Sequence, residues 1–210
     1  MIIDKLKKDC CGCTACVAVC PVGALTMVAD DEGFFYPSLN GELCVNCGKC
    51  DSVCAFCDKK EEHRAYETDY YAIIHKDVTV RRRSRSGGVF YALAKEILSL
   101  GGAVYGVALD KAFCAHTVRI DKEDDLASLQ GSKYVQSDKG ISFSLVKDDL
   151  KQGRAVLFSG TACEVSGLLS YLNSCGTSTE KLYTCDLVCH GTPSPKLWQD
   201  NLAQDRKSVV

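Results

Sequence analysis

The 210-residue chain has no apolar run near the roughly 20 residues a membrane helix needs, so no helical membrane insertion is expected. Its first residues, Met1-Ile2-Ile3-Asp4-Lys5-Leu6-Lys7-Lys8-Asp9, lack the apolar core of a secretion signal, which points to a cytoplasmic setting. Neither sign of charge is in excess. With 25 Lys and Arg against 27 Asp and Glu, the net charge of −2 favours neither a nucleic acid nor a membrane surface as partner. One residue type is abundant instead. Fifteen cysteines without a signal argue for free thiolates in a reducing compartment, not for disulfides. An apolar content of 46% and 17 glycines fit a globular protein with tight turns.

Eight of the cysteines form two runs. The first is Cys10-x2-Cys13-x2-Cys16-x3-Cys20, followed by Pro21; the second is Cys44-x2-Cys47-x2-Cys50-x3-Cys54. Two-residue gaps let three successive sulfurs point inward around one loop, the arrangement that holds a 4Fe-4S cluster. In two-cluster ferredoxins the fourth thiolate comes from the other run. The assignment is therefore Cys10, Cys13, Cys16 and Cys54 for one cluster, and Cys44, Cys47, Cys50 and Cys20 for the other. Gly12 and Gly48 permit tight turns whose N–H groups can face the inorganic sulfides. Zinc is the alternative, since four-cysteine zinc sites also use C-x2-C pairs, but they need neither the third cysteine nor the fourth at these spacings. Cys11 reads as a bystander. Ala55 stands where a proline usually follows the second run. Cys57, in C-x2-C spacing from Cys54, is a spare that could substitute as ligand.

Residues 1–58 thus form a cysteine-rich module with an internal repeat. Within it, 24–28 and 33–39 read as the two strands of a hairpin. Residues 59–69 are charged and read as a linker or an exposed helix. From residue 70 the pattern alternates. Strands are expected at 70–75, 103–109, 115–120, 155–158 and 182–188. Helices are expected at 88–100, 122–129, 141–150, 161–172 and from Ser194 to Leu202. The expected fold is an α+β ferredoxin-like two-cluster module followed by an α/β domain that is incomplete at its C-terminus. The tail 205–210 reads as non-native, the product of a truncated reading frame.

The first 58 residues resemble bacterial-type two-cluster ferredoxin domains. The remainder resembles the beta subunit family of coenzyme F-420 hydrogenases and dehydrogenases. Four stretches carry that likeness in order: Ser86-Gly87-Gly88-Val89-Phe90, Leu129-Gln130-Gly131-Ser132-Lys133-Tyr134, Ser159-Gly160-Thr161-Ala162-Cys163-Glu164, and Cys185 to Ser194. On this likeness, 70–150 corresponds to the N-terminal-like and 151–204 to the start of the C-terminal-like region of the beta subunit. The resemblance implies FAD beside the clusters. It also implies a further 4Fe-4S cluster, possible only in a full-length chain, with Cys163 and Cys189 as two of its ligands; the others lie in a later C-x2-C stretch absent here. Ala162-Cys163-Glu164 departs from the Pro-Cys-Gln common in the family.

Each of these sites has a plainer reading. Ser86-Gly87-Gly88 is either a flavin-pyrophosphate site at a helix start or a simple glycine-rich start capped by Ser86. Arg81-Arg82-Arg83 and Arg85 read as a solvated turn, with one arginine able to reach cofactor phosphates. Lys133 and Tyr134 either stabilise and stack on a flavin or form an ordinary surface turn. Cys163, at a helix N-terminus, is a reactive thiolate or ligand, or else a buried small hydrophobe. Cys114, Cys175 and Cys185 read as structural. The expected function is an iron-sulfur flavoprotein oxidoreductase that passes single electrons to a two-electron carrier. Its partner would be a redox protein or a small hydride carrier. Two rivals are a ferredoxin-type carrier whose second domain only docks a partner, and a non-redox zinc module.

Overall fold

The computed structural model describes residues 7–56 and 68–207, with the backbone only for 206 and 207. Cys57 and most of the expected linker lie outside the described residues, as do Ser208, Val209 and Val210. Among the described residues no helix is long and apolar enough to cross a membrane.

The cysteine-rich module consists of two short helices and one hairpin. α1 (Ala15–Val19) stops at Cys20, which turns to extended backbone because Pro21 follows it. β1 (Leu25–Ala29) and β2 (Phe35–Leu39) pair antiparallel from Leu25↔Leu39 to Ala29↔Phe35. Asp30 sets their turn: its Oδ1 accepts from the N–H groups of Glu32 (3.1 Å) and Phe34 (2.9 Å). α2 (Lys49–Ser52) is the second helix.

The larger part is a layered α/β structure. α3 (Val78–Ser84) is capped by Asp77, whose Oδ1 accepts from Thr79 N at 2.7 Å. α4 (Val89–Ser99) stops just before Gly101, which holds φ +72°. β3 (Ala103–Leu109) and β4 (Ala115–Ile120) form a hairpin, and a 3-10 helix (Glu123–Leu129) follows. After α5 (Ser142–Lys151), β5 (Val156–Thr161), α6 (Ala162–Ser174) and β6 (Leu182–Leu187) make a βαβ unit. α7 (Pro195–Lys207) ends the described chain. The strand order is β4-β3-β5-β6, antiparallel only at the β4–β3 edge.

Alternation along β3 and β5 sorts the core into two layers. Val104 and Leu157 face α4 and the 3-10 helix, with Ala94, Ile97, Leu126 and Leu129. Ala103, Tyr105, Val156 and Phe158 face α5 and α6, with Phe143, Val146, Leu168, Tyr171 and Leu172. Ala15, Val19 and Val53 of the cysteine-rich module join this second layer. The module therefore shares an apolar core with the α/β domain. A buried carboxylate ties the sheet to α5: Asp149 accepts two bonds from Arg119 (2.8 and 3.0 Å) and one from the Tyr105 hydroxyl (2.6 Å).

Three expectations need correction. Residues 70–75 form no strand. His75 N donates to Gly87 O at 2.7 Å, while Tyr70, Tyr71, Ile73 and Ile74 stay exposed. A short apolar run carries no periodicity that distinguishes a strand from a packed loop. Arg81, Arg82 and Arg83 lie in α3 rather than in a turn, because Asp77 caps a helix just upstream of them. The last helix does not stop at Leu202 but runs on to Lys207, anchored through Trp198 Nε1 on Phe113 O (2.8 Å).

Candidate metal centres

The two cysteine loops repeat in conformation as well as in sequence. In the first, Gly12 and Thr14 flank Cys13 with φ of +65° and +70°; in the second, Asn46 and Gly48 flank Cys47 with +52° and +70°. Left-handed residues on both sides of the middle cysteine turn the chain about it and aim backbone N–H groups into the concavity, an anion-binding arrangement. Asn tolerates this conformation; a β-branched Thr14 does so at about 1–2 kcal/mol. Such strain in a well-packed loop marks a site whose shape is imposed by what it must hold.

The loops surround two hollows, and these divide the eight thiols four and four. Cys20, Cys44, Cys47 and Cys50 line a cavity of about 280 Å³, walled by Pro21, Val22, Leu25, Leu39 and Val45. Cys10, Cys13, Cys16 and Cys54 line a narrower one of about 20 Å³, together with Cys11, Met27, Pro37 and Phe56. Each set takes three cysteines from one run and the fourth from the other. Among the described residues no three Cys, His, Asp or Glu side chains converge as a single bare ion would require. The sulfurs instead ring spaces with apolar walls, and the larger space suits a bulky group better than the close-set tetrahedron of a zinc site. Four thiols of the two runs around each hollow are the donor set a 4Fe-4S cluster takes, with Cys11 a fifth thiol at the smaller one, so the residues fit it.

The thiol environments differ. Burial pushes Cys20 up, but the N–H groups of Val22, Ala24, Leu25 and Gly23 outweigh it and bring its pKa below the usual thiol value. The Ala24 N–H donates to Cys20 Sγ at 3.2 Å, and Asn46 N to Cys44 Sγ at 3.4 Å. Burial, reinforced by the neighbouring Cys13 and Cys10, pushes Cys16 up to about 12. A metal must displace that proton, because only the thiolate binds.

The first loop also touches the α/β domain. The Cys11 thiol lies beside Cys13 and Cys163, and these neighbours together with burial raise its pKa. The same proximity lowers the pKa of Cys13 and of Cys163. Cys163 opens α6, where Thr161 and Glu164 form a capping box; Thr161 Oγ1 lies 3.1 Å from Cys163 Sγ. One turn further along α6, Gly167 leaves room for the loop: a Cβ there would lie 2.7 Å from Cys13 Sγ. Beneath the same turn lies a buried ion pair, Lys139 Nζ to Glu164 Oε1 at 2.6 Å. Gln136 completes the junction, its Oε1 accepting from Phe35 N at 2.9 Å. Cys11 lies at this junction, on the lining of the smaller hollow, and Gly167, Lys139 and Gln136 carry no motif in the sequence that singles them out.

Cys189 stands at the other side of this edge. Thr161 pairs with Leu187, so Cys163 and Cys189 each lie two residues beyond paired positions, at the C-terminal end of adjacent parallel strands. Cys189 is exposed, and its sulfur accepts from Gly191 N at 3.3 Å. The turns at 86–88 and 131–134 flank one region: Gln130 Nε2 donates to Ser84 Oγ at 3.0 Å, and a Cβ on Gly131 would lie 3.6 Å from Arg83 O. Gly87 and Gly88 are packed against the chain, with Ile73 O 2.5 Å and His75 Cβ 3.0 Å from where their Cβ atoms would be. The N-cap of α4 is Gly88, not Ser86. Lys133 Nζ donates to the carbonyls of Ser128 (2.9 Å) and Gln130 (3.1 Å), and burial lowers its pKa to about 8. Tyr134 is exposed. Cys185 packs on the α4 side of the core, Cys175 is exposed, and Cys114 Sγ accepts from Gln199 Nε2.

Residues 9–57 match the family described as "4Fe-4S dicluster domain". The chain is 24% identical over 144 residues to a subunit of the F(420)H(2) dehydrogenase of Methanosarcina mazei, a match covering 63% of this chain and 41% of that one. Over 54 residues it is 39% identical to an uncharacterized ferredoxin of Methanocaldococcus jannaschii, covering 26% of this chain and 66% of the ferredoxin. Its fold resembles a chain in a structure of the F420-reducing [NiFe] hydrogenase complex from Methanosarcina barkeri, with a TM-score of 0.51 and 21% identity, over 61% of this chain and 46% of the other. The chain thus spans less than half the length of the dehydrogenase and hydrogenase subunits it matches.

Proposed function

We propose, for a chain that is an iron-sulfur electron-transfer protein of the F420 hydrogenase-related family, that it relays electrons between its N-terminal module and a site on the α/β domain at the ends of β5 and β6. Bound 4Fe-4S clusters supply one-electron transfer. The chain's own residues do the rest. Cys10, Cys13, Cys16 and Cys54 hold one cluster, and Cys44, Cys47, Cys50 and Cys20 hold the other. The apolar side chains around both hollows lower the local polarity about the sulfurs, while Cys47 stays exposed at the surface of the second loop.

The observation that carries this reading is the junction. Gly167 lets the Cys13 loop lie directly on α6, the helix that Cys163 opens. A carrier with a merely docking second domain has no need for such an approach. In this reading Cys163 and Cys189 serve a further iron-sulfur site. A flavin lies by the α4 N-terminus, with Ser86, Gly87, Gly88, Lys133 and Tyr134 around it; the adjacency of the two turns and the exposed Tyr134 ring support that placement. The electron partner is a redox protein or a small hydride carrier, and the reaction is an oxidoreduction. The test is anaerobic reconstitution with iron and sulfide, followed by electron paramagnetic resonance (EPR) after dithionite and by flavin absorbance. Two interacting 4Fe-4S signals are expected. Iron without flavin would reduce the protein to a ferredoxin-type carrier, and a colourless product that retains zinc would overturn the reading.

A further inference from the structure

We propose that the buried Lys139–Glu164 pair is a positioning element that sets the reduction potential of the cluster held by Cys10, Cys13, Cys16 and Cys54, and leaves the other cluster alone. This rests on the cluster assignment above.

Lys139 is the most deeply buried charge in the described chain, with its side chain 1% exposed. Its ammonium has three donors, and they go to Glu164 Oε1 (2.6 Å), Ser137 O (2.9 Å) and Ser137 Oγ (3.5 Å). Glu164 is pinned from its other oxygen, where Oε2 accepts from Thr161 N at 2.9 Å. Neither charge can swing toward water. Glu164 lies in the first turn of α6, three residues before Gly167, an axial rise of about 4.5 Å, and Lys139 reaches it from the loop before α5. Gly167 is the residue that Cys13 lies against, at 2.7 Å from its would-be Cβ.

Stability does not explain this pair. Taking two charges out of water costs as much as their attraction returns, and apolar residues of similar volume serve as well or better. A fixed charge in a poorly screened interior does shift any neighbouring group that gains or loses charge. A cluster gains one negative charge on reduction, so a nearby cation raises its potential and a nearby anion lowers it. Neither Lys139 nor Glu164 lines either hollow; the pair reaches the first one through the contact of Gly167 with Cys13.

The test is a redox titration of the anaerobically loaded full chain, read by EPR, with both midpoint potentials resolved. Lys139→Met is expected to lower the potential of the Cys13-side cluster, and Glu164→Gln to raise it. Lys139→Arg should stay near the wild type. The Cys20-side cluster should not move in any of them. The double variant Lys139→Met/Glu164→Gln, which strands no charge, should fold even if a single one does not, and its potential should fall between those of the singles. Shifts in the same direction for both singles, equal shifts of both clusters, or a double variant displaced as far as Lys139→Met would overturn the proposal. Failure of the wild type to take up iron would instead overturn the cluster assignment.

Discussion

Gly167→Ala sets two known effects against each other. Gly167 lies within α6 and its φ is negative, so the backbone accepts alanine without strain. In an ordinary helix interior the change stabilises by about 1 kcal/mol. Here the new methyl would meet Cys13 Sγ at 2.7 Å and Cys13 Cβ at 3.0 Å, with Ala15 Cβ at 3.7 Å. Normal carbon contacts begin at about 3.5 Å, so the loop must retreat by roughly 1 Å. Overpacking of this kind costs about 1–3 kcal/mol. The displaced atom is not the free end of a long side chain, since Cys13 is fixed in a left-handed loop between Gly12 and Thr14. The clash therefore wins, and the variant should be less stable by up to about 2 kcal/mol. Anaerobic urea unfolding followed by circular dichroism measures this, and Cys13→Ala in the same background should recover part of the loss. Iron content should also fall, and fall on the Cys13 side. A Gly167→Ala protein that is about 1 kcal/mol more stable and fully loaded would show that the module does not rest on α6.

The crossed ligand sets are separable. Cys20→Ser should abolish the cluster ringed by Cys44, Cys47 and Cys50, and Cys54→Ser the one beside Cys10, Cys13 and Cys16; iron and sulfide analysis with EPR shows which signal survives, and loss of the same signal in both would refute the crossing. Asp149→Asn removes the buried charge facing Arg119, which is 24% exposed and keeps its pair with Asp121 at 2.8 Å, so a loss of about 1–3 kcal/mol is expected in urea unfolding. Burial pushes the Asp149 carboxyl up, but Arg119 and Tyr105 more than offset it, leaving its pKa below the ordinary value of about 3.9. Its stabilisation is therefore present above that value and disappears as pH falls through the lower folded one, and the Asn variant should lack this part of the acid limb. Gln136→Ala removes the acceptor of Phe35 N, and faster hydrogen exchange at Phe35 with a loss of about 1 kcal/mol is expected.

What can be read in the chain follows from how local the information is. Cysteines two and three residues apart state their grouping directly, because a loop that short cannot place them elsewhere. The strands at 103–109 and 115–120 emerge from short runs with β-branched residues, and the βαβ unit from Val156 to Leu187 from an apolar strand, a capped helix and a second strand. Tyr70 to His75 misleads because the same composition serves a loop held by the backbone of Gly87. Ser86 resembles a cap because serine is a good one, yet Gly88 takes that position at φ +83°.

The junction is illegible for a different reason. Each of its members has an ordinary local explanation. Glu164 completes a capping box, Gly167 is one of 17 glycines, and Lys139 follows an aspartate in a polar turn. Their meaning arises only when segments about a hundred residues apart meet, as Phe35 and Gln136 do. Cys11 shows the point best. Within its run it is out of register and reads as spare. Once the first loop is laid on α6 it lies beside both Cys13 and Cys163, the thiol that opens α6. A cysteine-rich module that folded independently would not need the missing side chain at Gly167. The sequence features that look least like ligands are thus the ones that join the two halves, and Gly167, Lys139 and Glu164 are where the relay can be altered without touching a single ligand.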